Sequence, residues 1–374
     1  ARTAGTEVGL ARMSAMNNSP VMILAGGTGG HIFPGLAVAN ELRGRDVPVI
    51  WIGSDGGMET RLVPQHHISI ETIAVRGLRG KGIMGLISAP FVILRSVFQA
   101  IGKVRKHRPR AVLSFGGFAA GPAGLAAWLL RKPLIVHEAN RAPGFTNRVL
   151  AKVADRVLCG FPDSFADVPN DVVGNPVRAE IAAIAAPENR LQNRSGPIRL
   201  LVLGGSQGAR AINTAVPKVV ATMRGDIEFD IRHQCGEKLL GDAKKSYETA
   251  GVNASVEAFI QNMAEAYAWA DIVIGRAGAL TIAELCAAGV GSILIPFPGA
   301  VDDHQARNAQ YLKECGAGDW LRQTETLEHD LQQLLGEFCR ERTFLLQLAM
   351  AARKAALPNA AKVVTDIVLS EAQA

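Results

Sequence analysis

His31 is a candidate general base. It ends the run Gly26-Gly27-Thr28-Gly29-Gly30-His31, between an apolar stretch, Val21 to Ala25, and an apolar-periodic one, Ile32 to Leu42. That order reads as strand, glycine turn and helix start. A helix start favours the neutral form of a histidine, and a neutral imidazole beside a bound hydroxyl can take its proton. Helix-start N–H groups also attract anions, so the turn has the shape of a phosphate cradle. A dinucleotide fingerprint fails because Ile32 stands where the third glycine belongs, and no Gly-Lys-Ser/Thr of a P-loop occurs. A plain tight turn explains one or two glycines, not four with a Thr and a His. A solvent-facing His31 is the plainer alternative.

Four further clusters carry polar groups at strand ends. His137-Glu138-Ala139-Asn140 lacks the second histidine that a zinc protease needs four positions on. Asn140 offers both donor and acceptor, which suits sugar hydroxyls, though a turn asparagine fits the spacing equally. Gly204-Gly205-Ser206-Gln207-Gly208-Ala209-Arg210 repeats the opening plan and points to phosphate or base contact. Thr281 and Glu284 have capping-box spacing; alternatively Glu284 accepts two ribose hydroxyls, and the nearby Arg276–Leu280 turn favours that. Asp302-Asp303-His304-Gln305 reads as a charged helix start, with Gln305 the better site candidate. No D-x-D occurs, which disfavours metal-dependent sugar transfer.

The elements that position these groups alternate. Strands are expected at Val21–Ala25, Val47–Gly53, Ile68–Val75, Ala111–Phe115, Leu134–His137, Arg156–Gly160 and Asp171–Val173. Between them, Gly82–Ile101 has helical spacing, with Pro90 expected to bend or restart it. After Gly174-Asn175-Pro176 the plan repeats, with strands at Ile198–Leu203, Glu228–His233, Ser255–Phe259, Ile272–Gly275 and Ser292–Pro296. Helices are expected at Ala211–Met223, Met263–Ala268, Leu280–Ala288, Asp303–Cys315, Phe338–Ala356 and after Pro358. Alternating strands and helices predict an α/β protein of two Rossmann-like, doubly wound parallel-sheet domains, with ligands beyond the carboxyl ends of the strands in a deep interdomain cleft. The boundaries are 16–176 for an N-terminal domain, 177–355 for a C-terminal one and 356–374 for a terminal helix. Residues 1–15 read as an expression remnant before a start at Met16.

The chain has 374 residues, 39.6 kDa, 48% hydrophobic and 20% charged, enough for two real cores. Its formal charge is +6, but Thr72–His137 contains no acid and eleven Lys or Arg, so the rest is mildly acidic. In that stretch Ile83, Leu86, Ile87, Phe91, Leu94 and Phe98 form an apolar stripe, flanked by Arg76, Arg79 and Lys81. Ordinary core with solvated loops is one reading; docking to an anionic membrane surface is the other. Nucleic acid is not expected, because no aromatics interleave the bases between Lys103 and Arg110. Five scattered cysteines fit a reducing compartment, and no stretch is long and apolar enough to span a bilayer. With no signal peptide evident, the cytosol is the expected compartment.

The motifs GGTGGH, SFGGFAAGPAG, HEAN, GNPVR, GGSQGAR, RAGALTIAEL and DDHQARNA occur in this order from about Pro20 onward. In that order they resemble the bacterial GT-B glycosyltransferases that add N-acetylglucosamine to the lipid-linked muramoyl-pentapeptide of peptidoglycan. The resemblance implies an inverting transfer from UDP-N-acetylglucosamine to the C4 hydroxyl of the muramoyl sugar of lipid I, giving lipid II. It implies no cofactor and no metal. Ser206, Ile260, Ala279, Leu280, Thr281, Glu284 and Gln305 would contact the nucleotide sugar, with Glu284 on the ribose. Thr28, Gly29, Gly30 and Asn140 would reach it from across the cleft, and Arg178 from just after the linker. His31 would be the base or help place the acceptor, with Glu138 a rival. Gly116, Gly117 and Gly121 would help hold the acceptor's diphosphate. The basic and apolar Arg76–Arg110 region would dock on the cytoplasmic face of the inner membrane, and envelope-assembly proteins would be further partners.

Overall fold

The computed structural model describes residues 19–75, 82–205 and 208–373, with the side chains of 82–89 and 301 set aside. Arg76, Arg79, Lys81 and Ser206, and the side chains of Ile83, Leu86 and Ile87, therefore lie outside the described residues.

The chain divides into two compact units, one running to Pro176 and including Asn359–Ala374, the other Val177–Pro358. The first contains β1 (Val21–Ala25), α1 (Gly29–Arg43), β2 (Val49–Ser54), α2 (Glu59–Gln65), β3 (Ser69–Ile73), α3 (Gly82–His107) and β4 (Ala111–Gly116). It continues with α4 (Ala120–Leu129), β5 (Leu134–Glu138), α5 (Phe145–Leu150), β6 (Arg156–Cys159) and β7 (Asp171–Val172). Its seven-stranded sheet has the order β3-β2-β1-β4-β5-β6-β7, and every pairing is parallel.

Parallel strands covered on both faces read as unbroken apolar runs, and β1, Val-Met-Ile-Leu-Ala, is buried throughout. Its side chains alternate: Val21, Ile23 and Ala25 join one core with Ile32 and Leu36 of α1. Met22 and Leu24 join another with Ala123, Ala126 and Ala127 of α4.

The second unit contains α6 (Ala179–Ala182), α7 (Pro187–Leu191), β8 (Ile198–Leu203), α8 (Arg210–Thr222), β9 (Phe229–Gln234), α9 (Leu240–Ala250), β10 (Ser255–Glu257) and α10 (Met263–Trp269). Then come β11 (Ile272–Gly275), α11 (Ala279–Ala288), β12 (Gly291–Leu294), α12 (His304–Glu314), β13 (Gly318–Trp320), α13 (Leu327–Cys339) and α14 (Arg342–Lys354). Its six parallel strands run β10-β9-β8-β11-β12-β13. The last helix, α15 (Ala360–Glu371), packs Val364 and Val368 into the first unit's core beside α1. The doubled parallel α/β plan read from the sequence is thus the observed one.

In each sheet the strand order reverses at one place: between β1 and β4 in the first unit, and between β8 and β11 in the second. Loops at the carboxyl ends of such strands are where open α/β sheets bind ligands. They carry Gly26–Thr28 and Gly117–Ala119 in one unit, and Gly204–Ala209 and Arg276–Gly278 in the other.

One expectation needs narrowing. Pro90 does not restart the helix: α3 runs unbroken from Gly82 to His107 with Pro90 inside it. Its anchors lie further on, where Val97, Ala100 and Val104 are buried, and that packing offsets the one backbone bond a proline forgoes. Of the two readings of the stripe, core or docking surface, Phe91, Leu94 and Phe98 do not fit core: those side chains are 76%, 55% and 64% exposed. Among the described residues no helix is long and apolar enough to cross a membrane.

Candidate active site

In the first unit the two glycine turns meet backbone to backbone. Gly117 has φ +103°, and a Cβ there would stand 2.5 Å from the Gly26 carbonyl oxygen, so the approach admits only glycine. His31, in the first turn of α1, sits half-buried beside them. Its Nδ1 lies 3.0 Å from the Gly26 carbonyl oxygen. A carbonyl only accepts, so Nδ1 carries the proton and Nε2 keeps its lone pair. That Nε2 overhangs Gly116: a Cβ at Gly116 would lie 3.4 Å from it, and equally close to the Asn147 amide.

Beneath the opening turn lies Glu59, the first residue of α2, fully buried. Its Oε1 accepts from the Ser54 N–H and hydroxyl, each at 2.8 Å, and its Oε2 from the Gly27 N–H at 3.0 Å. Burial alone would raise its carboxyl; the backbone N–H groups of Ser54, Glu59 and Gly27, with the Ser54 hydroxyl, hold it below the ordinary value instead.

Glu138 ends β5 and is 2% exposed. Its Oε1 accepts from the Asn140 N–H (2.8 Å) and side-chain amide (3.2 Å), its Oε2 from the Gly144 N–H (3.1 Å) and the Asn147 amide (3.0 Å). Four donors on two oxygens make it the organiser of the loop that holds Asn140. His137 is a core residue. Its Nε2 donates to the Gly174 carbonyl at 2.9 Å, and burial pushes its pKa down to about 4, so it ties the linker to the sheet as a neutral ring. Thr28, Gly29 and Gly30 form the rim of the opening turn, Thr28 and Gly30 being exposed, and Gly121 lies in the first turn of α4.

In the second unit, the described candidates follow β10, β11 and β12, with Arg178 just before α6. The glycine turn after β8 is stitched by main chain, Gly204 N–H to the Gln234 carbonyl (2.8 Å) and Gly208 N–H to the Gly205 carbonyl (3.0 Å). Ile260 is buried, its N–H held by the Gln234 side chain at 3.0 Å. Helix α11 starts after Gly278 as N-cap, so Thr281 lies inside the helix and the capping box does not form. Ala279 and Leu280 are its first two residues, beside Thr281. Glu284 is buried; its Oε1 accepts from Arg178 Nε (3.2 Å) and a terminal guanidinium nitrogen (2.9 Å), its Oε2 from the Tyr267 hydroxyl (3.2 Å). Burial pushes this carboxyl up, against the pull of Arg178 and Tyr267. The Gln305 side chain accepts from the Phe297 N–H at 2.9 Å, closing the loop after β12. Asp303 pairs with Arg322 at 2.9 Å.

Three of these residues were not anticipated: Glu59, Asn147 and Tyr267. Asn147 and Tyr267 sit inside short helices of mixed polarity, and Glu59 is a single acid after two glycines. Each is picked out only by what it touches.

The basic stretch is also less free than its sequence suggests. Glu71, just before it, pairs with Lys103 and Lys106 at 2.6 Å each and with His107 at 2.8 Å. Lys103, then Lys106 and His107, hold the Glu71 carboxyl down at about 2.

Residues 21–159 match the glycosyltransferase family 28 N-terminal domain, and residues 199–364 match the glycosyltransferase family 28 C-terminal domain. The UDP-N-acetylglucosamine--N-acetylmuramyl-(pentapeptide) pyrophosphoryl-undecaprenol N-acetylglucosamine transferase of Xanthomonas euvesicatoria is 62% identical over 94% of this chain and 81% of its own length. The transferase of the same description from Xylella fastidiosa is 59% identical over 94% of this chain and 96% of its own. The crystal structure of Acinetobacter baumannii MurG superimposes with a TM-score of 0.83 at 38% identity, covering 94% of this chain and 99% of that one. The chain belongs to glycosyltransferase family 28, in the branch that MurG represents.

Proposed function

We infer that this chain transfers N-acetylglucosamine from UDP-N-acetylglucosamine to the lipid-linked muramoyl-pentapeptide, making lipid II for peptidoglycan. The relatives named above carry that activity in their names at about 60% identity over nearly the full chain. In the finer reading, the C4 hydroxyl of the muramoyl sugar attacks the anomeric carbon with inversion. The bond to UDP breaks as the new glycosidic bond forms, and the hydroxyl proton goes to a base.

The observation that carries this mechanism is His31: its Nδ1 is spent on the Gly26 carbonyl, which leaves Nε2 to accept a proton. Glu138, with both oxygens occupied, supports the loop rather than the proton transfer. In the second unit, Glu284 takes the ribose hydroxyls. Arg178 then turns to the departing diphosphate, together with the N–H groups at the start of α11. Gly116, Gly117 and Gly121 serve the acceptor's diphosphate, and Asn140 and the Thr28–Gly30 rim serve the sugars.

The exposed Phe91, Leu94 and Phe98, beside exposed Arg95, Arg105 and Lys106, suit docking on the anionic cytoplasmic face of the inner membrane. Each basic residue there contributes about 1 kcal/mol.

The test is UDP release from UDP-N-acetylglucosamine with and without a soluble lipid I analogue, repeated with EDTA. Acceptor-dependent release unaffected by EDTA is expected. Release without acceptor would instead mark an epimerase or hydrolase on the same doubled fold.

A further inference from the structure

The carbonyl that accepts from His31 and the N–H that Glu59 accepts from belong to one peptide group. Gly26 supplies the C=O to His31 Nδ1 at 3.0 Å, and Gly27 supplies the N–H to Glu59 Oε2 at 3.0 Å. Imidazole, peptide and carboxylate therefore form one continuous chain of hydrogen bonds. Each bond in such a chain polarises the next. A carboxylate on the peptide's N–H makes its C=O a stronger acceptor. That C=O in turn fixes the Nδ1–H tautomer and the orientation of the ring.

The surroundings are built to hold that carboxylate in place. A Cβ at Gly26, Gly53 or Gly57 would stand 2.3 to 2.4 Å from an atom of the Glu59 side chain, so three separate segments leave their side chains off to admit it. Ser54 fixes the other oxygen with two donors. A Cβ at Gly117 would stand 2.5 Å from the Gly26 oxygen of the same peptide, so that turn too closes on it. A buried carboxylate so well satisfied is costly to set up, and the proton-transfer chemistry described above does not otherwise use it.

We propose that Glu59 is a positioning residue for the His31 base, acting through the Gly26–Gly27 peptide. In role it is the third group that orients a base in hydrolase triads, with a peptide unit inserted between acid and imidazole. The same geometry gives the opening glycine turn its purpose: its nest is filled by the chain's own anion. The proposal rests on the reading of His31 as base.

Glu59→Gln keeps the shape and removes the charge; Glu59→Asp keeps the charge and loses reach. Both are compared with wild type and with His31→Ala in steady-state kinetics, and ¹⁵N-histidine spectra report the His31 tautomer. In Glu59→Gln, kcat falls roughly tenfold while the donor KM stays within about twofold. Glu59→Asp keeps more activity than Glu59→Gln, and Glu59→Gln adds no further loss in the His31→Ala background. The spectra show Nδ1–H in wild type and a mixture in Glu59→Gln.

Equal losses from Glu59→Gln in both backgrounds, or a better-preserved Glu59→Gln than Glu59→Asp, would reduce Glu59 to filling space. If Glu59→Gln does not fold, the wild-type spectrum decides, and an Nε2–H tautomer there overturns the proposal. A His31→Ala enzyme with normal kcat would sink the base reading, while the tautomer shift still reports on the link from Glu59 to His31.

Discussion

The two sheets reverse strand order in the same way, and each places a glycine turn and a helix start at that point, yet the turns are finished differently. After β1, the turn encloses a carboxylate of its own chain: the Gly27 N–H is committed to Glu59, and the Gly26 carbonyl to His31. After β8, the described bonds of the turn are main chain to main chain. In the second unit the buried acid Glu284, on α11, is paired instead with a cation, Arg178. Under the proposed function, a turn whose anion is built in serves as a scaffold for the base. Under the proposed function, the turn after β8 and the Arg178–Glu284 pair serve a nucleotide diphosphate and ribose instead. Topology sets where each site is; the side chains behind each loop set what it does.

Substitutions that break this contrast are expected to differ in size and kind. His31→Ala should cost the most, roughly 10²- to 10⁴-fold in kcat in a coupled UDP-release assay, the usual worth of a general base. Gly117→Ala drives a Cβ to 2.5 Å from the Gly26 oxygen at a φ of +103°, and should destabilise the first unit by about 1–3 kcal/mol in urea unfolding. Tyr267→Phe removes one donor from Glu284 and should raise the donor KM by a few fold, about 1 kcal/mol, with kcat little changed.

The smallest effect concerns pH. Glu71 is held at about 2 against an ordinary 4.5, a depressed folded-state value. Its contribution is therefore complete above about 4.5 and lost as pH falls towards 2. Glu71→Gln should flatten the acid limb of the melting temperature over that window and leave neutral-pH activity alone.

Much of the fold was legible because parallel strands buried on both faces announce themselves. Val21–Ala25 and Ile272–Gly275 are apolar runs and Ile198–Leu203 is one broken only by Arg199; glycine closes each, and each is a strand as read. The elements that escaped are of two kinds. Helix α9 buries only Ala243 and Tyr247, too few apolar positions to show a period. Helix α13 buries Leu327, Leu331, Leu335 and Phe338 at a plain helical period, although it begins well before the helix expected at Phe338. The outward turn of Phe91, Leu94 and Phe98 was one of two readings the sequence left open, since periodicity gives a face but not the side on which the core lies.

The site shows the same limit. Glycine turns and strand-end polar residues could be found by motif. Glu59 could not, because its partners Ser54, Gly27 and, through one peptide, His31 come together only when β1, β2 and α2 pack. The choice between capping box and buried acid at Thr281–Glu284 likewise turned on where α11 begins.

The central claim is a division of labour: the second unit holds the UDP, and the first unit's glycine turn holds the base. Calorimetric titration of UDP into wild type, His31→Ala and Glu284→Gln tests it most directly. A Kd within about twofold of wild type is expected for His31→Ala, and a weakening of tenfold or more for Glu284→Gln, the worth of a charged hydrogen bond. Equal weakening by both, or by His31→Ala alone, would contradict it.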